Sequence, residues 1–204
     1  MLDSISEFLS SLGFAIVATV GINMGTPEPR YSVLERIGER IEIRAYPPRL
    51  VAETPMSGPD GKQSAAFSIL AGYIFGANHA QRKFSMTTPV EIGTRIGMTA
   101  PVAIEGRQGA QTMRFFLPAD LTLADLPEPD DSRVSLRELP AATVATLRFS
   151  GLSDHRDAAE IQALTAALAG GPWKIAGPAS SYYYNPPWTL PPLRHNEVVI
   201  PVTR

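Results

Sequence analysis

The sequence predicts an α+β fold in which two helices pack on a twisted, mainly antiparallel β-sheet. Three observations carry that expectation. Short runs that alternate apolar and polar residues recur along the chain, as half-buried strands do. Two stretches instead repeat apolar residues at the spacing of one helix face. The order is strands, helix, strands, helix, strands, and a parallel doubly wound sheet would need more crossover helices than that.

The chain has 204 residues, enough for one good-sized domain and too few for two. Hydrophobic residues make up 44% and charged residues 19%, ample material for a core. A net charge of -2 leaves no basic field for a phosphate backbone, so nucleic acid is not an expected partner. There is no cysteine, which excludes disulfides, thiol nucleophiles, thiolate heme ligation and cysteine zinc sites. The histidines are His79, His155 and His195, and no two are spaced as a local metal pair.

Residues 1–25 form an N-terminal segment ahead of a domain over 26–204. Residues 12–24 are mostly apolar, but shorter than the roughly 20 residues of a membrane span. Asp3 and Glu7 stand where a secretory signal would be positive. A packed or lid-like helix, a weak export signal or anchor, and a helix docked on a membrane surface or a partner are the three readings. A cytoplasmic or membrane-associated location is favoured over export.

Gly25-Thr26-Pro27-Glu28-Pro29 breaks the chain before the domain. Tyr31, Val33 and Glu35, a turn at Gly38, then Ile41 and Ile43 read as a hairpin, and residues 50–54 as a further strand. A helix is expected over 64–75, with Gly76 and Asn78 suited to its C-terminal end. Short strands follow at 90–92, 102–104, 112–117, 134–139 and 142–149, with a Pro- and Asp-rich loop over 119–133. Ser153 or Asp154 is placed to cap a second helix over 156–168, with Asp157 and Glu160 early in it. Strands at 181–184 and 197–202, separated by a proline-rich loop, close the chain.

The first helix carries the functional expectation. Phe67, Leu70, Ala71 and Ile74 form one face expected to meet the sheet, with Ala66, Ile69 and Tyr73 as a second apolar row. Ser64, Ser68, Gly72 and Gly76 form a ridge of small residues, and no charge occurs from Ser64 to Asn78. Such a helix calls for a cover: a flat apolar ligand on the ridge, the N-terminal segment as a lid, or another subunit. The second helix carries Asp157, Glu160 and Gln162 opposite Ile161, Leu164 and Leu168.

The repeat Met86-Thr87-Thr88-Pro89-Val90 and Met98-Thr99-Ala100-Pro101-Val102 reads as two strand starts, since proline offers no ladder donor. Met86 and Met98 either fill core gaps or line a ligand groove. The chain has no dinucleotide-binding glycine motif, phosphate loop, zinc-protease helix or nucleophile elbow. Ser150, Ser153, Asp154 and His155 crowd one turn, where capping is the expected role. No catalytic constellation emerges, and an enzyme is not expected.

Taken in order, several segments resemble the SOUL heme-binding proteins. They are Glu42-Ile43-Arg44-Ala45-Tyr46-Pro47, Phe67-x-x-Leu70-x-x-Tyr73-Ile74-x-Gly76-x-Asn78, the two Met-Thr copies, and Met113-Arg114-Phe115-Phe116-Leu117-Pro118. Tyr184-Asn185-Pro186-Pro187-Trp188-Thr189 and Arg194-His195-Asn196-Glu197-Val198 complete the set. The resemblance implies two related halves, as in small-molecule sensor domains. It also implies heme or a related tetrapyrrole in an apolar groove beside the first helix, as carrier, buffer or sensor. Phe67, Ser68, Leu70, Ala71, Gly72 and Ile74 would form the helix side, with Met86 and Met98 beside them. Lys62, Lys83 or Arg194 would meet the carboxylates. The helix itself lacks the basic residues of some family members, and His195 stands where many have arginine. His195 is thus either a candidate axial iron ligand or a surface group in an arginine-like role. Alternative readings are an enzyme acting on a tetrapyrrole or other small hydrophobic molecule, and an interaction module using the N-terminal segment.

Overall fold

The computed structural model describes residues 27–56, 63–85, 87–94, 111–152, 156–186 and 188–204. Residues 1–25, Lys62, Met86, Met98, the expected strand at 102–104 and the cap at 153–154 lie outside them.

Ten strands, two α-helices and two short 3-10 turns are present among the described residues. β1 (Ser32–Ile37) and β2 (Ile41–Tyr46) form the expected hairpin, with Gly38 at φ 65° in its turn, a conformation glycine adopts without strain. β3 (Arg49–Pro55) leads to α1 (Gln63–Ile74), then β4 (Val90–Thr94), β5 (Gln111–Phe116) and β6 (Ser135–Leu139). β7 (Ala142–Phe149) leads to α2 (Arg156–Leu168), then β8 (Lys174–Ile175), β9 (Ser180–Tyr183) and β10 (Asn196–Thr203). The two-residue β8 escaped the periodicity, because a pair of residues carries no period.

The strand order is β1-β2-β7-β10-β9-β4-β5-β3-β6, with β8 on the end of β10, and every pairing is antiparallel. This order contains the same unit twice. In one half β3 and β4 flank β5, and α1 connects β3 to β4. In the other β7 and β9 flank β10, and α2 connects β7 to β9. The halves meet where β4 pairs β9, from Val90 opposite Tyr183 to Gly93 opposite Ser180.

Alternation along the strands divides the core by face. Leu50, Ala52, Met113 and Phe115 pack with Ala66, Leu70, Tyr73 and Ile74 of α1. Ile43, Ala145, Leu147, Val198 and Ile200 pack with Leu164 and Leu168 of α2. The opposite face has its own cluster, Tyr46, Val51, Phe116, Val144, Tyr182, Tyr184 and Val199, to which neither helix contributes.

The buried face of α1 differs from the expected one. Ala66, Leu70, Tyr73 and Ile74 are buried, Ala71 is half-buried and Phe67 is 39% exposed. Tyr73 turns the helix, because its ring stacks on Phe84 at 5.7 Å and its hydroxyl donates to the carbonyl of Pro127 at 3.1 Å. Those partners lie outside the helix and leave no periodic trace in it. The expected C-terminal end is present. The amide of Ala77 returns to the carbonyl of Gly72, and buried Asn78 donates from Nδ2 to the carbonyls of Tyr73 and Arg82.

The charged face assigned to α2 is also redistributed. Asp157 accepts a hydrogen bond from Ser181 on β9 at 2.6 Å and another from the Tyr183 hydroxyl. Glu160 takes one from Arg40 at 3.4 Å. Both carboxylates therefore tie α2 to the sheet and the first hairpin.

Candidate ligand site

The outer face of α1 meets a simple chemical description. Ser64, Ala65, Phe67 and Ser68 are exposed, with Ala71 and Gly72 half-buried beside them. The Ser68 hydroxyl is already used, donating to the carbonyl of Ser64 at 2.8 Å. Phe67 is held edge-on to Phe115, ring centroids 5.1 Å apart, and still presents part of its ring to solvent. Phe75 follows the helix with 59% of its surface exposed. The result is a low, weakly polar platform of small side chains beside two aromatic rings, suited to a flat apolar ring system. A Cβ added at Gly72 would meet only Ala77 at 3.8 Å, so this backbone stands open to close approach.

The other sequence-selected residues are spread more widely. Leu70 and Ile74 are buried against the sheet, so they support the platform from below. Lys83 is exposed, its stem passing beside Gly76 just past the helix, and it lines a separate cavity at the sheet end. His79, also just past the helix, faces Glu128 at 3.4 Å and Asp130 at 3.8 Å. Arg194 donates from Nε to the carbonyl of Thr189 at 2.9 Å. Arg194 and His195 immediately precede β10, which is separated from β5 by β9 and β4, whereas α1 packs over β3 and β5.

His195 also belongs to the helix-free face. Its ring stacks on Tyr184, centroids 4.0 Å apart and planes 3° from parallel, and its Nε2 lies 3.0 Å from Glu197 Oε1. Glu197, only 1% exposed, also accepts two bonds from Arg44 at 2.9 Å and one from the Tyr184 hydroxyl at 2.8 Å. Burial alone would raise the Glu197 pKa, but His195 and Arg44 outweigh it and hold the pKa near about 2. Tyr184 is pushed well above the phenol range by burial and by that carboxylate. A second network joins the other half. Arg114 bridges Glu53 at 2.8 Å and Glu91 at 2.9 Å, and Arg137 adds a bond to Glu53 at 3.0 Å. Burial acts to raise Glu53, yet Arg114 and Arg137 bring its pKa below the usual value.

Sequence reading missed both networks. Their members occupy the polar phase of alternating strands, the pattern of a solvent-facing edge, and only the curled sheet buries them. Among the described residues no group of three His, Asp or Glu is arranged to hold a metal ion, and no helix is long and apolar enough to cross a membrane. The α1 platform fits an apolar macrocycle through contact, and Nε2 of His195 is already committed to Glu197 on the other face.

Among solved structures, the chain is similar to the C-terminal domain of EcmrR, with a TM-score of 0.58 and 12% identity over 82% of this chain and 99% of that one. EcmrR in a DNA complex gives 0.55 and 13%, over 100% of this chain and 67% of that one. A hydrolase encoded by lin2189 from Listeria innocua gives 0.58 and 12%, over 80% and 92%. At such identities these likenesses speak to the fold, a curled antiparallel sheet with two helices. None of the curated proteins is similar enough to match. The model of one family, described as SOUL heme-binding protein, matches residues 26–201. With that match spanning most of the chain, and the two-helix curled sheet in place, the protein belongs to the SOUL heme-binding family.

Proposed function

We propose that the protein binds heme or a related tetrapyrrole against the outer face of α1, as a non-catalytic carrier, buffer or sensor. The observation that supports this most is the platform itself. Phe67, Ser68, Ala71 and Gly72 present an uncharged surface on a helix whose opposite side is locked into the core by Leu70, Tyr73 and Ile74. A macrocycle laid there would remove exposed apolar area from water, at roughly 25 cal/mol per Å². The rigid support lowers the ordering cost of binding. Lys62, outside the described residues, is the proposed partner for a carboxylate, whereas Lys83 lines the separate cavity at the sheet end. Bound heme supplies its own redox and ligand-binding chemistry; the chain's residues position the ring and shield one of its faces.

Hemin titration followed at the Soret band tests the reading. Saturable one-to-one binding, weakened when Ser68 is replaced by tryptophan, is the expected result. The absence of saturable binding by the full chain would overturn it.

A further inference from the structure

We infer that the cavity at the end of the sheet is a second ligand site, selective for an aromatic carboxylate and separate from the α1 platform. The cavity holds about 520 Å³, within the roughly 300–1,000 Å³ of small-molecule sites. Three stretches of chain enclose it: residues 27–30, residues 82–85 with Thr87, and residues 117–121. The first is tied to the second by a hydrogen bond from the amide of Thr88 to the carbonyl of Pro27, at 3.0 Å.

The lining separates into an apolar floor and a basic rim. Phe84 and Leu117 are buried, Leu121 is half-buried, and Pro27, Pro29 and Pro118 add flat, rigid apolar surface. Phe84 cannot swing away, since Tyr73 stacks on it from the core. Arg30, Arg82 and Lys83 supply three cations against two carboxylates, Glu28 and Asp120. Arg82 is fixed, donating to the carbonyl of Asp125 at 3.0 Å with its guanidinium over the Phe84 ring at 5.2 Å. Arg30 and Lys83 have no side-chain partner among the described residues, and both are exposed. Burial, with Glu197 nearby, raises the Glu28 pKa above its usual value despite His195, Arg44 and Arg148, so its carboxylate opposes a bound anion less than a free one would. Thr87 is satisfied, its hydroxyl donating to the carbonyl of Phe116. An aromatic body on the proline and phenylalanine floor, with its carboxylate at Arg30 and Lys83, matches both parts of this lining.

The test is calorimetric titration of the full chain with 2-naphthoate and with its neutral counterpart 2-naphthylmethanol. Saturable one-to-one binding of naphthoate, tighter than that of the alcohol, is expected. Arg30→Glu should weaken naphthoate about fivefold, the scale of an exposed charge pair. Ala119→Trp, at an exposed position on the cavity wall, should abolish binding while the circular-dichroism melt stays that of the parent. Phe67→Glu, on the α1 platform, should leave naphthoate binding unchanged. The inference is overturned if naphthoate does not saturate, if the alcohol binds equally well, or if Phe67→Glu removes binding that Ala119→Trp spares. Hemin binding by Ala119→Trp is read in parallel, and its retention separates failure at this cavity from failure at α1.

Discussion

The imidazole of His195 lies flat against the ring of Tyr184, and both groups point a hydrogen at one carboxylate, Glu197. An ionised carboxylate only accepts hydrogen bonds, so Nε2 of His195 must carry its proton in this arrangement. Arg44 supplies two further hydrogens from β2, 153 positions away in the chain. The cluster joins β2 to β10 through Arg44 and Glu197, with Tyr184 just after β9 and His195 just before β10.

Replacing Glu197 with glutamine should destabilise the fold by about 2 kcal/mol, because buried Arg44 would lose its two bonds to an ionised carboxylate and keep only the half-buried Glu42, 2.8 Å from its Nε, as counter-charge. Urea denaturation of the variant measures this. A loss below about 1 kcal/mol would show that the sheet holds without the ionic cluster.

Acid should act through the same carboxylate. The Glu197 pKa falls from 4.5 to about 2 on folding. A depressed carboxylate contributes stability that is present above the unfolded value and lost as pH drops through the folded one. The window is therefore about pH 4.5 down to about 2, and the contribution is about 3 kcal/mol. Glu53 and Glu42 are shifted in the same direction and add to it. Urea midpoints should fall steadily across that window, and less steeply in Glu197→Gln. Midpoints flat down to pH 3 would contradict the assignment.

On α1, support and contact should separate. Leu70→Ala removes a fully buried side chain and should cost about 3 kcal/mol. Ser68→Trp, at an exposed position, should leave the melting temperature within about 2 °C while lowering hemin affinity at least about tenfold. Equal hemin affinity in Ser68→Trp and the parent would remove the platform from consideration.

The place of His195 on the helix-free face leads to a spectroscopic expectation. His195→Ala should lower stability through the lost stack and hydrogen bond, by about 1 to 2 kcal/mol. The Soret maximum of the hemin complex should not move. A shifted maximum would make His195 an iron ligand and place the heme elsewhere than on α1.

The sequence by itself determined the elements that local physics specifies. Alternation located β2, β3, β5, β6, β7, β9 and β10 to within a residue or two, and helical spacing together with Gly76 and Asn78 located α1. These signals arise between residues a few positions apart, where sterics and hydrogen bonding act without reference to the rest of the chain. The uncharged side of α1 was visible for the same reason. Tertiary structure alone decided which side of that helix faces the sheet, since Phe84 and Pro127 capture Tyr73 from outside it. It alone decided that Glu53, Glu91, Arg114, Arg44 and Glu197 are buried. Period two shows that such residues share a face, but whether that face meets water depends on the curl of the sheet and on strands paired across the whole chain. The cavity between residues 27–30, residues 82–85 with Thr87, and residues 117–121 is likewise formed by segments far apart in sequence, which no local pattern brings together.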